Sequence, residues 1–143
     1  AQGRYLRGLL ALAANDDSIA SADFDVLEKL DPEGLATAIG KASLLTKHGR
    51  AAEALPYLRR MASLDPQPEH YAVLAETLLS LGNLSEAGET IKTGMEKYPD
   101  NADLYFCRAK LHRDLYELDR AREDAKKALR LGIPRDKIKE LKL

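Results

Sequence analysis

LATAIGKASLLTKHGRAAEALPYLRRMASLDPQ, residues 35–67, and PEHYAVLAETLLSLGNLSEAGETIKTGMEKYPDN, residues 68–101, are two versions of one motif. Aligning them brings Ala42 over Ala75, Ala54 over Ala87, and Leu58 over Ile91. The register extends in both directions. Small residues at Gly8, Ala42, Ala75 and Ala109 are spaced 34, 33 and 34 apart. Ala20, Ala54, Ala87 and Ala121 keep the same spacings twelve residues further on. Phe24, Leu58, Ile91 and the smaller Ala125 follow at the next helical offset, and Pro32, Pro66, Pro99 and Pro134 close the copies, the last one residue late. A period in this range marks a repeat architecture, in which each copy is one supersecondary unit.

Each copy reads as two helices. In the first, apolar and small side chains recur at three- and four-residue steps, as in Ala38, Ala42 and Leu45. That helix should stop at Asn15, Gly49 and Gly82-Asn83, residues that tolerate the left-handed conformation of a helix C-terminus. Tyr116 takes this place in the fourth copy, where its Cβ makes it a less comfortable choice. The second helix should end before Asp-Pro or Tyr-Pro, because proline lacks an amide donor and biases its predecessor away from helix. The two columns of small residues fall where antiparallel helices cross closely. Arg7 and Arg108 stand at equivalent positions, each with an Asp sixteen residues later, Asp23 and Asp124. Lys41 and Leu74 replace the arginine where Tyr57 and Thr90 replace the aspartate, the pattern expected of an ion pair across the two helices of one copy.

The sequence of small residue, Gly or Asn turn, alanine, bulky apolar residue and terminal proline resembles the tetratricopeptide repeat. The resemblance covers units of about 1–34, 35–67, 68–101 and 102–135, and the chain reads as a single domain, 1–143. Arg4, Arg7, Lys41 and His112 depart from it in individual columns. The resemblance implies an all-α, right-handed superhelical solenoid of four helix-turn-helix repeats, with a concave groove lined by the first helix of each. Residues 136–143, with Ile138 and Leu141 among charges, resemble the start of the helix that caps such arrays. It also implies recognition of a protein or peptide, with no intrinsic chemistry.

The groove columns hold Tyr5, Leu6, Leu9 and Leu12 in the first unit, then Ile39, Ser43 and Lys47 in the second. Ala72, Glu76 and Leu79 follow in the third, and Phe106, Lys110 and Arg113 in the fourth. An apolar end and a charged end suit an amphipathic helix or an extended peptide with apolar anchors and a carboxylate. Some family members clamp the acidic C-terminal tails of heat-shock chaperones with Lys, Asn and Arg. The matching places here are Tyr5, Leu9, Gly40, Glu69 and Val73, so that carboxylate clamp is absent.

Other functions find little purchase. His48, His70 and His112 are far apart, without the clustering of a metal site, and no cofactor motif or catalytic constellation occurs. A net charge of −1 argues against general affinity for nucleic acid, although residues 1–100 carry a net −5 and residues 101–143 a net +4. The longest apolar run, residues 9–14, is far too short to span a membrane. Cys107, the sole cysteine, permits no internal disulfide and reads as a small inert hydrophobe. A homodimer through the apolar first helix is the alternative to a partner-binding scaffold, as is a fragment of a larger assembly or secretion factor. The first residue is Ala rather than Met, so trimming or processing is expected. The compartment stays open: cytoplasmic, or exported if a signal sequence preceded Ala1.

Overall fold

A computed structural model describes residues 2–143. Its helices are α1 (Gln2–Ala13), α2 (Asp17–Leu30), α3 (Leu35–Lys47), α4 (Ala51–Leu64), α5 (Pro68–Ser80), α6 (Leu84–Lys97), α7 (Ala102–Asp114), α8 (Leu118–Arg130) and α9 (Arg135–Glu140). No strand occurs among the described residues. Two compact units divide the chain between Asp65 and Pro66. The first holds α1 to α4 and the second α5 to α9.

The turn inside each repeat forms where the left-handed residues stand. Asn15, Gly49, Gly82 and Tyr116 have φ of 62°, 71°, 79° and 60°. Glycine pays no steric penalty there, whereas Tyr116 must point its ring into solvent. Each turn is closed by an amide reaching back five residues, from Asp16 to the Ala11 carbonyl (2.7 Å) and from Glu117 to that of His112 (2.8 Å). These bonds satisfy carbonyls that the end of the first helix would otherwise leave orphaned. Asp16 then caps α2 by accepting from the Ile19 amide. The second helices stop at Leu30, Leu64 and Lys97, each two residues before a proline. Buried Thr37 ties the next repeat to that stop, its hydroxyl donating to the carbonyls of Asp31 (2.7 Å) and Leu27 (3.2 Å).

In the first unit the core is organised around one ring. Phe24 is closed to solvent and lies between Gly8 of α1 and Gly40 of α3. A Cβ added to either glycine would meet the ring at 2.5 or 2.4 Å. Ala11, Ala20, Leu27 and Leu44 complete the cluster, with Tyr5, Leu9 and Leu12 packed at its edge. In the second unit Phe106, Ala109, Ala125, Ala128, Ile133 and Leu141 form a cluster that joins α7 and α8 to the C-terminal segment. Leu141, just past α9, is buried in it, and Ile138 packs alongside.

Both arginine–aspartate pairs cross between the helices of their repeats. Arg7 donates to Asp23 through Nε (2.8 Å) and Nη2 (2.5 Å), and Arg4 approaches the same carboxylate at 3.6 Å. Arg108 donates to Asp124 through Nε and Nη2, both at 2.8 Å, while stacking over Tyr105 at 5.2 Å. Planar two-point contact of this kind fixes geometry as well as charge. Where Lys41 and Tyr57 replace the pair, both turn to the preceding repeat. Lys41 binds Asp25 and Glu28, and the Tyr57 hydroxyl donates to Glu28 at 2.8 Å.

Asp23 gives an acid-stability prediction. The Arg7 guanidinium holds its carboxyl below the ordinary aspartate value, against an opposing push from burial. A carboxyl depressed on folding contributes stability that is full above its unfolded value, near pH 4, and is lost as pH falls through the folded value. Arg7→Ala removes the chief depressing partner and leaves Arg4 and the burial. Its acid-unfolding midpoint, followed by far-UV circular dichroism, is expected at higher pH than that of the wild type. Equal midpoints would show the pair to be energetically idle.

Candidate functional site

The first helices of successive repeats lie side by side within each unit, α1 against α3 and α5 against α7. They present the groove columns as two surfaces of different character. In the first unit Tyr5, Leu9 and Leu12 of α1 are half-buried over the Phe24 cluster, leaving part of each side chain open to solvent. Ile39 and Ser43 of α3 are half-buried too. Partial burial raises the Tyr5 phenol above its ordinary pKa. Lys47 ends the row, where its ammonium donates to the Leu12 carbonyl (2.9 Å) and to Asp17 (2.8 Å). His48 meets the other oxygen of Asp17 at 2.7 Å. Lys47 and His48 thus clasp the end of α3 to the α1–α2 turn. Leu6 departs from the row and stands on the outer side of α1 with Leu10, at 53% and 72% exposure.

In the second unit the corresponding surface is charged, over a buried apolar floor. Ala72, Leu79 and Phe106 are buried, so they support the surface more than they line it. Above them Lys110 pairs with Glu76 at 3.3 Å and sits over the Phe106 ring at 4.5 Å. Arg113 donates to its neighbour Asp114 at 3.1 Å. The cations of this surface are therefore already matched by carboxylates.

Cys107 lies beneath, donating weakly to the Ala72 carbonyl at 3.7 Å. Burial pushes its thiol up to about 12, which suppresses the thiolate that nucleophilic chemistry requires. No group of three His, Cys, Asp or Glu among the described residues could hold a metal ion. No described helix is long and apolar enough to cross a membrane. Gly40 and Val73 carry no donor side chain, and Gly40 is covered by the Phe24 ring.

A further depression opens between α6 and α7 in the second unit. It measures about 310 Å³ and is lined chiefly by Ile91, Met95, Leu111 and Arg108 around Gly88. Its cause is the column Ser21, Leu55, Gly88, Arg122, in which the third repeat alone lacks a side chain. That gap in the column was the signal available in the sequence.

Residues 45–111 match the family model of the tetratricopeptide repeat. Among solved structures, a tetratricopeptide repeat protein from Parabacteroides merdae is similar at 28% identity with a TM-score of 0.71, over 98% of this chain and 55% of that one. The chain thus spans little more than half the length of that protein. A thermophilic protein of the same repeat class from Thermus thermophilus is similar at 24% identity and a TM-score of 0.75, over 98% of this chain and 80% of that one. A chain of an APC/C hetero-tetramer is similar at 21% identity and a TM-score of 0.75, over 90% of this chain and 24% of that one. No curated protein matches the chain.

Proposed function

We propose that this tetratricopeptide-repeat chain is a protein-interaction scaffold that holds a peptide or helix of a partner on the first helices of its repeats, without catalysis. The observation that carries the reading is the row of half-buried apolar side chains Tyr5, Leu9, Leu12 and Ile39 in the first unit. Such side chains are fixed by the core behind them yet keep apolar area for a ligand, the combination that favours docking with little loss of rotamer freedom. The second unit adds charges already in balance, which suits orientation of a partner more than its grip. One similar structure is itself a hetero-tetramer, in keeping with a role in assembly.

Selection of peptides from a displayed random library on the immobilised chain tests this. Ligands with two or more apolar anchors are expected. Leu9→Asp should weaken their binding at least about tenfold, the effect of losing roughly 1.4 kcal/mol of apolar burial, while Arg113→Ala should change it far less. Circular dichroism confirms that both variants stay helical. Selected ligands that bind Leu9→Asp as well as wild type would place recognition elsewhere.

A further inference from the structure

Three of the glycines within helices stand where a neighbour leaves no room for a side chain. A Cβ at Gly8 or Gly40 would strike the Phe24 ring, and one at Gly94 would press on Tyr71 and Leu104 at 3.1 and 3.2 Å. Gly3, in the first turn of α1, has open space around it. Gly88 lies past the first turn of α6, where its Cβ would meet only Leu111, at the ordinary contact distance of 3.5 Å. Glycine inside a helix is less stable than alanine, and at Gly88 no close approach of another chain segment offsets that loss. What the missing side chain leaves is the depression of about 310 Å³ between α6 and α7. In the second repeat Leu55 occupies the same column and is buried, so the repeat itself accepts a leucine there.

The lining combines apolar surface with cations. Ile91 and Leu111, both buried, and half-buried Met95 supply the apolar part. Lys92 borders the depression from α6 and Arg108 from α7. Among the described residues no carboxylate lies within salt-bridge reach of Lys92. Arg108 is held by Asp124 through Nε and Nη2, which leaves its Nη1 without a hydrogen bond among the described residues. Buried Asp124 also draws His112, whose Nε2 stands 3.5 Å away, so the α7 wall is anchored to α8. A guanidinium already fixed in place loses little freedom on meeting an anion. One acid, Glu96, borders the depression a turn further along α6. At the roughly 30 Å³ that a water-sized group occupies in a liquid, the space takes a body of about ten heavy atoms.

We infer that this depression binds a small apolar monoacid, its hydrocarbon body against Ile91, Met95 and Leu111 and its carboxylate at Lys92 and Arg108 Nη1. The body supplies the burial, and the two cations select the charge. Glu96 repels a second carboxylate, so a diacid of the same length is disfavoured. None of the lining residues belongs to the groove columns, and the inference therefore stands apart from the reading of the first helices.

Titration of the isotope-labelled chain with octanoate, octanol and octylamine, followed by nuclear magnetic resonance, tests it. Octanoate is expected to shift the amides of Gly88, Ile91 and Leu111 and to bind about fivefold more tightly than octanol, the span of an exposed ion pair. Octylamine should bind more weakly than octanol. Lys92→Glu should weaken octanoate and favour octylamine, while Glu96→Gln should tighten octanoate. Gly88→Leu fills the space, so it should abolish binding of all three and raise the melting temperature, leucine being the better helix former. A lower melting temperature for Gly88→Leu overturns the inference, since the glycine would then serve packing. Equal binding of octanoate and octylamine overturns it, as does the absence of any shift at Gly88. Shifts confined to Tyr5, Leu9, Leu12 and Ile39 overturn it too, because the apolar row of the first unit would then be what takes the ligand.

Discussion

Phe24→Ala is expected to destabilise the first unit by about 3–5 kcal/mol, the cost of deleting a fully buried aromatic side chain and leaving much of its volume empty. The ring touches both Gly8 and Gly40, and neither can move a side chain into the gap because neither has one. Urea unfolding followed by circular dichroism measures the loss. A second substitution sharpens the test. Gly40→Leu alone should cost about 1–3 kcal/mol by driving a side chain into the ring. Combined with Phe24→Ala it should be favourable, because the new side chain then occupies space that the ring has left. A coupling of opposite sign to the single effects is the signature of residues that share one space. Simple additivity would mean that the two positions relax independently and that the ring is not wedged between the glycines.

Ala87→Leu should have the next largest effect, about 1–3 kcal/mol through overpacking. Ala87 is closed to solvent at the crossing of α5 and α6, and the matching residues Ala20, Ala54 and Ala121 are closed as well. Ala51, at the start of α4, is only half-buried, and Ala51→Leu should cost much less. Thermal melts of the two variants compare them directly. Equal melting temperatures would deny the alanine column its role in setting the distance between helices.

The repeat was legible because its constraints are local and recur. Crossing residues must be small, turn residues must accept positive φ, and each requirement returns at a fixed interval. Tyr116 illustrates the strength of that frame, since it adopts φ 60° against its own preference. The Arg7–Asp23 and Arg108–Asp124 pairs were legible for the same reason, as both partners vary together within a copy. Interactions that leave a copy were not. Lys41 and Tyr57 share Glu28 of the preceding repeat, and Lys47 reaches the Leu12 carbonyl and Asp17, pairings that no within-copy column reveals. Depth was equally hidden. Ala72 and Phe106 share a column with Tyr5, and Leu79 shares one with Leu12, yet they are buried where Tyr5 and Leu12 are half open. The side chain above decides this: Lys110 covers the Phe106 ring, whereas α1 carries no long cation in that column.

The seclusion of Cys107 turns the second unit into its own clock. The thiol is fully enclosed against α5, held toward the Ala72 carbonyl, and protonated at any physiological pH. A maleimide or aromatic disulfide can therefore reach it only during excursions in which that packing parts. Because no other sulfhydryl competes for the reagent, the labelling half-time of the unmodified chain counts those excursions directly. A partner that fastens the second unit would lengthen the half-time without touching the sulfur, giving a readout of occupancy that needs no mutation, dye or tag on the protein.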